Sequence, residues 1–342
     1  MMKCVVYCMY IKGSVDMNGV NVAIVGATGL VGQTFLKVLE ERNFPIRELY
    51  CFASSRSAGK TIEFKGKTYV VEELTEQSFD RDIDIALFSA GGSISKQFAP
   101  IAAKKGVRVV DNSSAWRMET EIPLVVPEVN PHVLNQDHYI IANPNCSTIQ
   151  SVVPLKVLHE AFKIKRIVYS TYQAVSGSGI KGLQDLEART TDFYPHPIVG
   201  NCLPHIDVFL DNGYTKEEIK MIEETKKILG DQDIRVTATT VRVPVKYGHC
   251  VSMNLEFERD FDLDEVYSLL EGVDGLVLHG QENPLDYPMP LDVEGHDEVH
   301  VGRIRRDFSV DHGLNLWVVA DNIRKGAATN TVQIAELLLN YL

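Results

Sequence analysis

Cys146 lies in Ala142-Asn143-Pro144-Asn145-Cys146-Ser147-Thr148, a setting in which a thiol can become a nucleophile. A short apolar run, Tyr139-Ile140-Ile141, precedes it, and Pro144 with two asparagines breaks that run. An amphipathic stretch from Ser147 to Phe162 follows, with Ile149, Val152, Val153, Leu155, Val157 and Leu158 as its apolar positions. Cys146 is therefore expected where a strand ends and a helix begins. Ser147 or Asn145 can cap that helix, and the unpaired N–H groups of its first turn favour thiolate over thiol. The alternative is a buried structural cysteine in a capped turn. A nucleophilic cysteine needs a proton acceptor. His249, in Lys246-Tyr247-Gly248-His249-Cys250, follows a long predicted strand and a glycine turn, which places it at a sheet edge. His196 and His205 read as loop or core histidines. A Cys–His pair beside a nicotinamide implies aldehyde chemistry through a thiohemiacetal and a thioester.

A nicotinamide site is written near the N-terminus. The buried-strand run Val20-Asn21-Val22-Ala23-Ile24-Val25 leads into Gly26-Ala27-Thr28-Gly29-Leu30-Val31-Gly32 and then a helix through Phe35, Leu36, Val38 and Leu39. Strand, glycine loop and helix in that order cradle a pyrophosphate: Gly26 makes the turn, Gly29 admits the phosphates, and Gly32 lets helix and strand pack closely. Without a ligand the same residues are only a glycine-rich turn. The second strand, Glu48 to Ala53, ends in Ser54-Ser55-Arg56-Ser57-Ala58-Gly59-Lys60, where an NAD enzyme carries a carboxylate. Arg56 and the serine hydroxyls suit a 2′-phosphate instead, so the expected cofactor is NADP(H). A solvated polar loop is the plainer reading.

Composition narrows the rest. The chain has 342 residues, enough for two domains, with 45% apolar and 23% charged residues, as in ordinary globular proteins. A net charge of −12 without a basic block argues against nucleic-acid binding. No run approaches the ~20 apolar residues that cross a bilayer, so no membrane role is expected. The six cysteines form no CxxC pair and no HExxH occurs, so no metal site is expected. Scattered free thiols suit a cytoplasmic location. Residues 1–19 read as an N-terminal extension, with Met17 just ahead of the first convincing strand; Cys4 to Ile11 only faintly mimics a signal peptide.

Strands alternating with helices as far as Val107-Arg108-Val109-Val110-Asp111 predict a doubly wound parallel sheet of Rossmann type. The loop Asn112 to Arg117 leaves that sheet at a strand end, where such folds bind ligands. Beyond the cysteine the pattern changes. Long strands at Arg166 to Val175, Ile234 to Val245, Val251 to Phe257, Val299 to Ile304 and Leu314 to Asp321 have few crossover helices between them. They predict a second, α+β domain with a mixed sheet. Gly326 to Leu342 reads as one amphipathic helix returning to the first domain. The expected division is 20–145, completed by 324–342, and 146–323.

The order of short segments resembles the aspartate-β-semialdehyde dehydrogenase family from about Val20 to Leu342. Those segments are Gly26 to Gly29, Ser57 to Lys60, Asn143 to Thr148, Gln173-Ala174-Val175-Ser176-Gly177, Glu224 to Leu229, Arg242 to His249 and Asp321 to Ala328. The resemblance implies reversible, NADPH-dependent reductive dephosphorylation of 4-phospho-L-aspartate to L-aspartate 4-semialdehyde and phosphate. That reaction serves lysine, threonine, methionine and diaminopimelate biosynthesis. The resemblance also implies roles. Cys146 is the nucleophile, His249 the acid/base, and Gln173 orients the carbonyl or water. Arg242 pairs with the substrate carboxylate and Glu224 with its amine, while Arg117, Asn145 and Lys227 hold phosphate. Gly26, Thr28, Gly29, Leu30, Val31, Gly32, Ser54, Arg56, Ser57, Ser176, Gly177 and Asn322 bind the cofactor. A homodimer, or a dimer of dimers, is implied through the second domain. N-acetyl-γ-glutamyl-phosphate reductase shares the plan, but its cysteine usually precedes a tyrosine, and its acetylated substrate gives Glu224 no amine. Glyceraldehyde-3-phosphate dehydrogenase lacks support because its acidic NAD-binding residue is missing. A non-catalytic NADP-binding regulator would leave Cys146, Gln173, Arg242 and His249 without a joint purpose.

Replacing Arg56 by alanine should weaken NADPH far more than NADH. Loss of a charge-assisted phosphate contact costs roughly 1.5–3 kcal/mol, or about ten- to hundredfold in affinity. Titration of both cofactors checks this, and equal losses would show that Arg56 does not read the 2′-phosphate.

Overall fold

A computed structural model of the chain describes residues 19–342. The expected N-terminal extension lies, apart from Gly19, outside the described residues. The chain divides into two compact units. One holds the described residues through Pro144 together with Ala328–Leu342, and the other holds Asn145–Ala327.

The first unit is built on β1 (Val20–Val25), whose six residues are all buried. It pairs in parallel with β2 (Ile46–Ala53) on one side and, on the other, with the strand Ile85–Phe88. The hairpin expected at residues 61–71 is present as β3 (Thr61–Phe64) and β4 (Lys67–Glu73). With β5 (Ile85–Phe88), β6 (Arg108–Asp111) and β7 (Ile140–Ala142) the sheet runs β3-β4-β2-β1-β5-β6-β7. Apolar side chains fill both faces. Ile24, Phe35, Leu39 and Ile85 join Val332 and Leu338 of the last helix on one face, and Val25, Phe52, Phe88 and Phe98 form the core of the other. Two covered faces explain the continuous apolar strands. The doubly wound expectation holds, and strand order reverses at β1, where such sheets bind ligands. Helix α1 (Leu30–Glu41) follows the glycine loop, and α2 (Gly92–Lys104) follows β5.

The C-terminal stretch departs from expectation. Arg324–Thr329 is a wide π-helical stretch and Asn330–Leu338 the regular helix. Polar residues at its start turn inward: Asn330 and Thr331 are buried, and Asn330 Nδ2 donates to Val125 O at 3.0 Å and Asn143 Oδ1 at 2.7 Å.

The second unit opens with α3 (Cys146–Phe162), followed by β8 (Ile164–Gln173), α4 (Ile180–Ala188) and α5 (Lys216–Leu229). Then come β9 (Arg235–Arg242), β10 (His249–Phe257), α6 (Leu263–Glu271), β11 (Leu276–Leu278), β12 (Val299–Asp307) and β13 (Gly313–Ala320). The sheet order β11-β12-β13-β10-β8-β9 combines parallel and antiparallel pairs, as the long strands predicted. Helix α3 is not amphipathic as its sequence suggested. Ser147, Thr148, Gln150 and Ser151 are as buried as its aliphatic residues, because α5, α6 and the sheet all pack against it. Gln150 Nε2 donates to His249 O at 3.0 Å and Val318 O at 3.2 Å, and Ser151 Oγ donates to Ser147 O at 2.7 Å within the helix.

Candidate active site

Strand register assembles the site in the second unit. Gln173, the last residue of β8, lies opposite Arg242, the last residue of β9. On its other side β8 pairs antiparallel with β10, with Cys250 opposite Tyr172, so His249 starts β10 at the same end of the sheet. His249 also lies opposite Ala320 of β13, which places Asp321 and Asn322 there. Its position is thus the head of an interior strand rather than the sheet edge the sequence suggested.

Cys146 is the half-buried first residue of α3. Asn145 is the cap: its Oδ1 accepts from the N–H of Ser147 at 3.0 Å and of Thr148 at 3.3 Å. Behind the nucleophile candidate stands Gly326, where an added Cβ would lie 2.9 Å from Cys146 Cβ. Helix α5 supplies carboxylates to the cap. Glu224, 1% exposed, accepts the Asn145 backbone N–H at 2.6 Å. Glu217, which the sequence reading missed, accepts from Asn145 Nδ2 at 2.8 Å and from Gln173 Nε2 at 3.0 Å. The signal for it was available. Glu217, Lys220, Glu224 and Lys227 follow a helical repeat along one face of α5, of which only the last pair was read.

The peptide of Ala174 ties two further candidates together. Its carbonyl accepts from Arg242 Nη1 at 2.7 Å, and its N–H donates to His249 Nδ1 at 3.0 Å. Because Nδ1 accepts, the neutral imidazole carries its proton on Nε2. His249 Nε2 and Arg242 Nε are both buried without a hydrogen-bond partner, which leaves each able to bind a ligand oxygen. Burial, with the Arg242 guanidinium beside it, pushes the His249 imidazole down to about 3, against the opposing pull of Glu217. Gly177 closes over both: a Cβ there would meet Arg242 Nη1 at 2.8 Å and His249 Nε2 at 3.2 Å. Ser176 and Asn322 are buried and mutually hydrogen-bonded, with Asn322 Nδ2 to Ser176 Oγ at 3.0 Å, and Asn322 Oδ1 also accepts from Gly248 N at 3.0 Å. Lys227 is half-buried on α5.

The first unit fits a dinucleotide. Gly26 has φ +90° and an added Cβ would strike Ser89 O at 2.3 Å, while one on Gly32 would lie 2.2 Å from Gly26 O. The N-cap of α1, Gly29, makes no side-chain cap, and no acidic residue lies in the first turn, so the helix start suits an anion. Thr28 Oγ1 reaches Ser57 Oγ at 3.3 Å, joining this loop to the Ser54–Ser57 turn, where Ser54 and Arg56 are exposed. Arg117 also belongs to the first unit, 7% exposed, and donates from Nε to Asn143 O at 2.9 Å and from Nη2 to Asn112 O at 3.1 Å.

Residues 21–137 match the model of the semialdehyde dehydrogenase NAD binding domain, and 155–325 that of the semialdehyde dehydrogenase dimerisation domain. An aspartate-semialdehyde dehydrogenase of Aquifex aeolicus (strain VF5) is 56% identical over 94% of this chain and 98% of its own. The chain belongs to the aspartate-semialdehyde dehydrogenase family. Its fold agrees with the crystal structure of aspartate semialdehyde dehydrogenase II from Vibrio cholerae, complexed with ASA, at TM-score 0.90 and 50% identity over 94% of this chain and 98% of that one. The family member from Candida albicans, solved with NADP, superposes at TM-score 0.75 and 27% identity over 95% and 100% of the two chains. Family membership sets aside the acetylglutamyl-phosphate and glyceraldehyde-phosphate alternatives.

Holding His249 neutral couples this histidine to stability. The folded ring gains a proton only near pH 3, whereas an unfolded histidine gains one near 6.5. This contribution is complete above pH 6.5 and is lost as pH falls, because only the unfolded state then binds the proton. Between pH 7.5 and 5 the wild type should lose roughly 2 kcal/mol more than His249→Gln, at about 1.4 kcal/mol per unit below 6.5. Urea unfolding followed by tryptophan fluorescence measures this; equal losses would mean that His249 is not held neutral.

Proposed function

We propose that this chain interconverts 4-phospho-L-aspartate and NADPH with L-aspartate 4-semialdehyde, phosphate and NADP⁺. In the reductive direction it would serve lysine, threonine, methionine and diaminopimelate biosynthesis in the cytoplasm. One observation carries the reading. A thiol at a helix start shares its unit with a neutral Nε2–H imidazole and a buried guanidinium, both tied to the Ala174 peptide.

In the reductive direction the Cys146 sulfur bonds to the acyl carbon while the carbon–oxygen bond to phosphate breaks, giving a thioester. When bound, NADPH supplies the hydride that reduces this carbonyl. The carbon–sulfur bond then breaks and the aldehyde leaves. His249 meets the substrate as a donor, presenting Nε2–H to the oxygen on which charge develops. Acting as a base would require the other tautomer and release of the Ala174 N–H. Gln173 orients the reacting carbonyl or the water. Arg242 takes the α-carboxylate, for which a planar guanidinium with spare donors is suited. Glu224 takes the α-ammonium. Arg117, Asn145 and Lys227 hold phosphate. Gly26, Thr28, Gly29, Leu30, Val31 and Gly32 would cradle the pyrophosphate, Ser54, Arg56 and Ser57 the 2′-phosphate, and Ser176, Gly177 and Asn322 the remainder of the cofactor. In this reading 20–145 with 324–342 is the NADP-binding domain, and 146–323 carries catalysis and dimerisation. The sheet face turned away from buried Val251, Met253 and Leu255 bears Tyr172, Trp317, Arg303 and Arg305 beside a groove of about 300 Å³. A second copy of the chain on that face makes the homodimer, and pairing of dimers would use other surfaces. Among the described residues no helix is long and apolar enough to cross a membrane.

Substrate choice tests the reading. Cys146 and His249 would serve any small aldehyde, so selectivity must come from Arg242 and Glu224. Succinate semialdehyde lacks the ammonium and gives up the charge pairing with buried Glu224. It should be used at least about a hundredfold less efficiently in kcat/KM, on the order of 3 kcal/mol. Equal use of the two aldehydes by the wild type would remove the physical basis of the substrate assignment. Cys146→Ala, assayed alongside, should lose turnover while keeping NADPH affinity; retained turnover would refute the covalent route.

A further inference from the structure

The turn Val175–Ser178, between β8 and α4, carries Ser176 and Gly177 and lies against Arg242 and His249. Three sets of ties hold it. Val175 N donates to Val245 O at 2.8 Å and Ser176 N to Lys246 O at 3.2 Å. The Ser176 side chain is paired with Asn322. The third tie comes from a tyrosine that the chemistry above does not use. Tyr194 is 8% exposed, and its hydroxyl donates to Ser178 Oγ at 3.0 Å, with Val175 O at 3.5 Å.

Tyr194 is itself held. Asp185 of α4, 1% exposed, accepts four donors from the segment after that helix. Its Oδ1 takes the Thr190 hydroxyl at 2.9 Å and the Asp192 N–H at 3.0 Å. Its Oδ2 takes the N–H groups of Phe193 at 3.0 Å and Tyr194 at 2.8 Å. A buried carboxylate satisfied in this way fixes the course of the chain into Tyr194. The tyrosine ring packs in a cluster with Val175, Ile198 and Leu203. Leu203 in turn exchanges both backbone hydrogen bonds with Arg242, each at 2.8 Å. Gly182 shows how close the fit is. An added Cβ there would lie 2.4 Å from Val175 O, 2.7 Å from Tyr194 Oη and 2.9 Å from Ser178 Cβ.

Resting on the reading of Ser176 and Gly177 as cofactor contacts, we propose that Tyr194 is a positioning residue for NADP(H). Its hydroxyl sets the place of the Ser176–Ser178 turn, and through Gly177 the room left for the cofactor beside Arg242 and His249. Ring and hydroxyl have separate roles. The ring fills its cluster, and phenylalanine would fill it equally well. The hydroxyl gives one hydrogen bond, and both oxygens within its reach, Ser178 Oγ and Val175 O, belong to the turn. Its loss is therefore felt by what rests on the turn more than by the fold.

The test uses the full-length enzyme, with L-aspartate 4-semialdehyde, phosphate and NADP⁺ for turnover, NADPH fluorescence for binding, and a melting curve for each variant. Tyr194→Phe should weaken NADPH binding and raise KM for NADP⁺ at least about fivefold. Its kcat, and its KM for semialdehyde and for phosphate, should change less than about threefold. Ser178→Ala should do the same, and the double variant should lose at least about fivefold less than the product of the single losses. Gly182→Ala drives a methyl group against Val175 O and should weaken NADPH about tenfold or more. Wild-type NADPH affinity in a folded Tyr194→Phe enzyme, multiplicative losses in the double variant, or a lowered melting temperature as the sole change would each overturn the proposal. Should Tyr194→Phe fail to fold, Ser178→Ala decides, and unchanged NADPH affinity there overturns it. Ser176→Ala separates this proposal from the reading beneath it. Weaker NADPH in Ser176→Ala with none in Tyr194→Phe overturns the proposal alone. Wild-type affinity in Ser176→Ala overturns the underlying reading, and the proposal with it.

Discussion

The second unit depends on the register that sets Gln173 against Arg242, with His249 heading the next strand. Side chains alternate between faces along a strand, so a slip of one residue would send Arg242 and Gln173 to opposite sides of the sheet. The Ala174 peptide, just past the end of β8, then fastens both neighbours at once, taking Arg242 on its carbonyl and His249 on its N–H. A backbone group used this way has no rotamers, and the catalytic candidates inherit its rigidity.

Helix α3 faces the opposite problem. It must bring a thiol to the surface of a site while its flanks are buried against a sheet and two helices. Burying a polar group costs free energy unless it is hydrogen-bonded. The helix start is accordingly tied by the Asn145 cap, and Asn145 itself is held by two carboxylates of α5. Glu217 could not stay ionised in a dry interior without such donors, and the donors could not keep their directions without the carboxylates.

What was legible in the sequence was local. Gly26, Gly29 and Gly32 are close enough in the chain for their meaning to be contained in their spacing, and the fold sets them in the turn from β1 into α1. The same holds for Cys146 after Pro144 and for the hairpin at residues 61–71. Residues joined only by tertiary structure were harder. Gln173, Arg242 and Glu224 entered through family resemblance, since no spacing rule links three positions on two strands and a helix. Glu217 was missed because its partners lie 72 and 44 positions away. The amphipathic reading of α3 failed because serine, threonine and glutamine look like a solvent face until neighbouring elements bury them, and only Gln150 then finds strand carbonyls. The C-terminal helix was misjudged for the same reason, with Asn330 spent on the backbone of Val125.

The Ala174 N–H on His249 Nδ1 also bears on the conditions in which such a site can operate. An imidazole seated this way, between a guanidinium and buried backbone, keeps one protonation state across the range a living cell passes through during starvation, acid stress or rapid growth. Flux through the step would then follow the supply of metabolites and reducing equivalents, and cellular pH would have no handle on it at this residue.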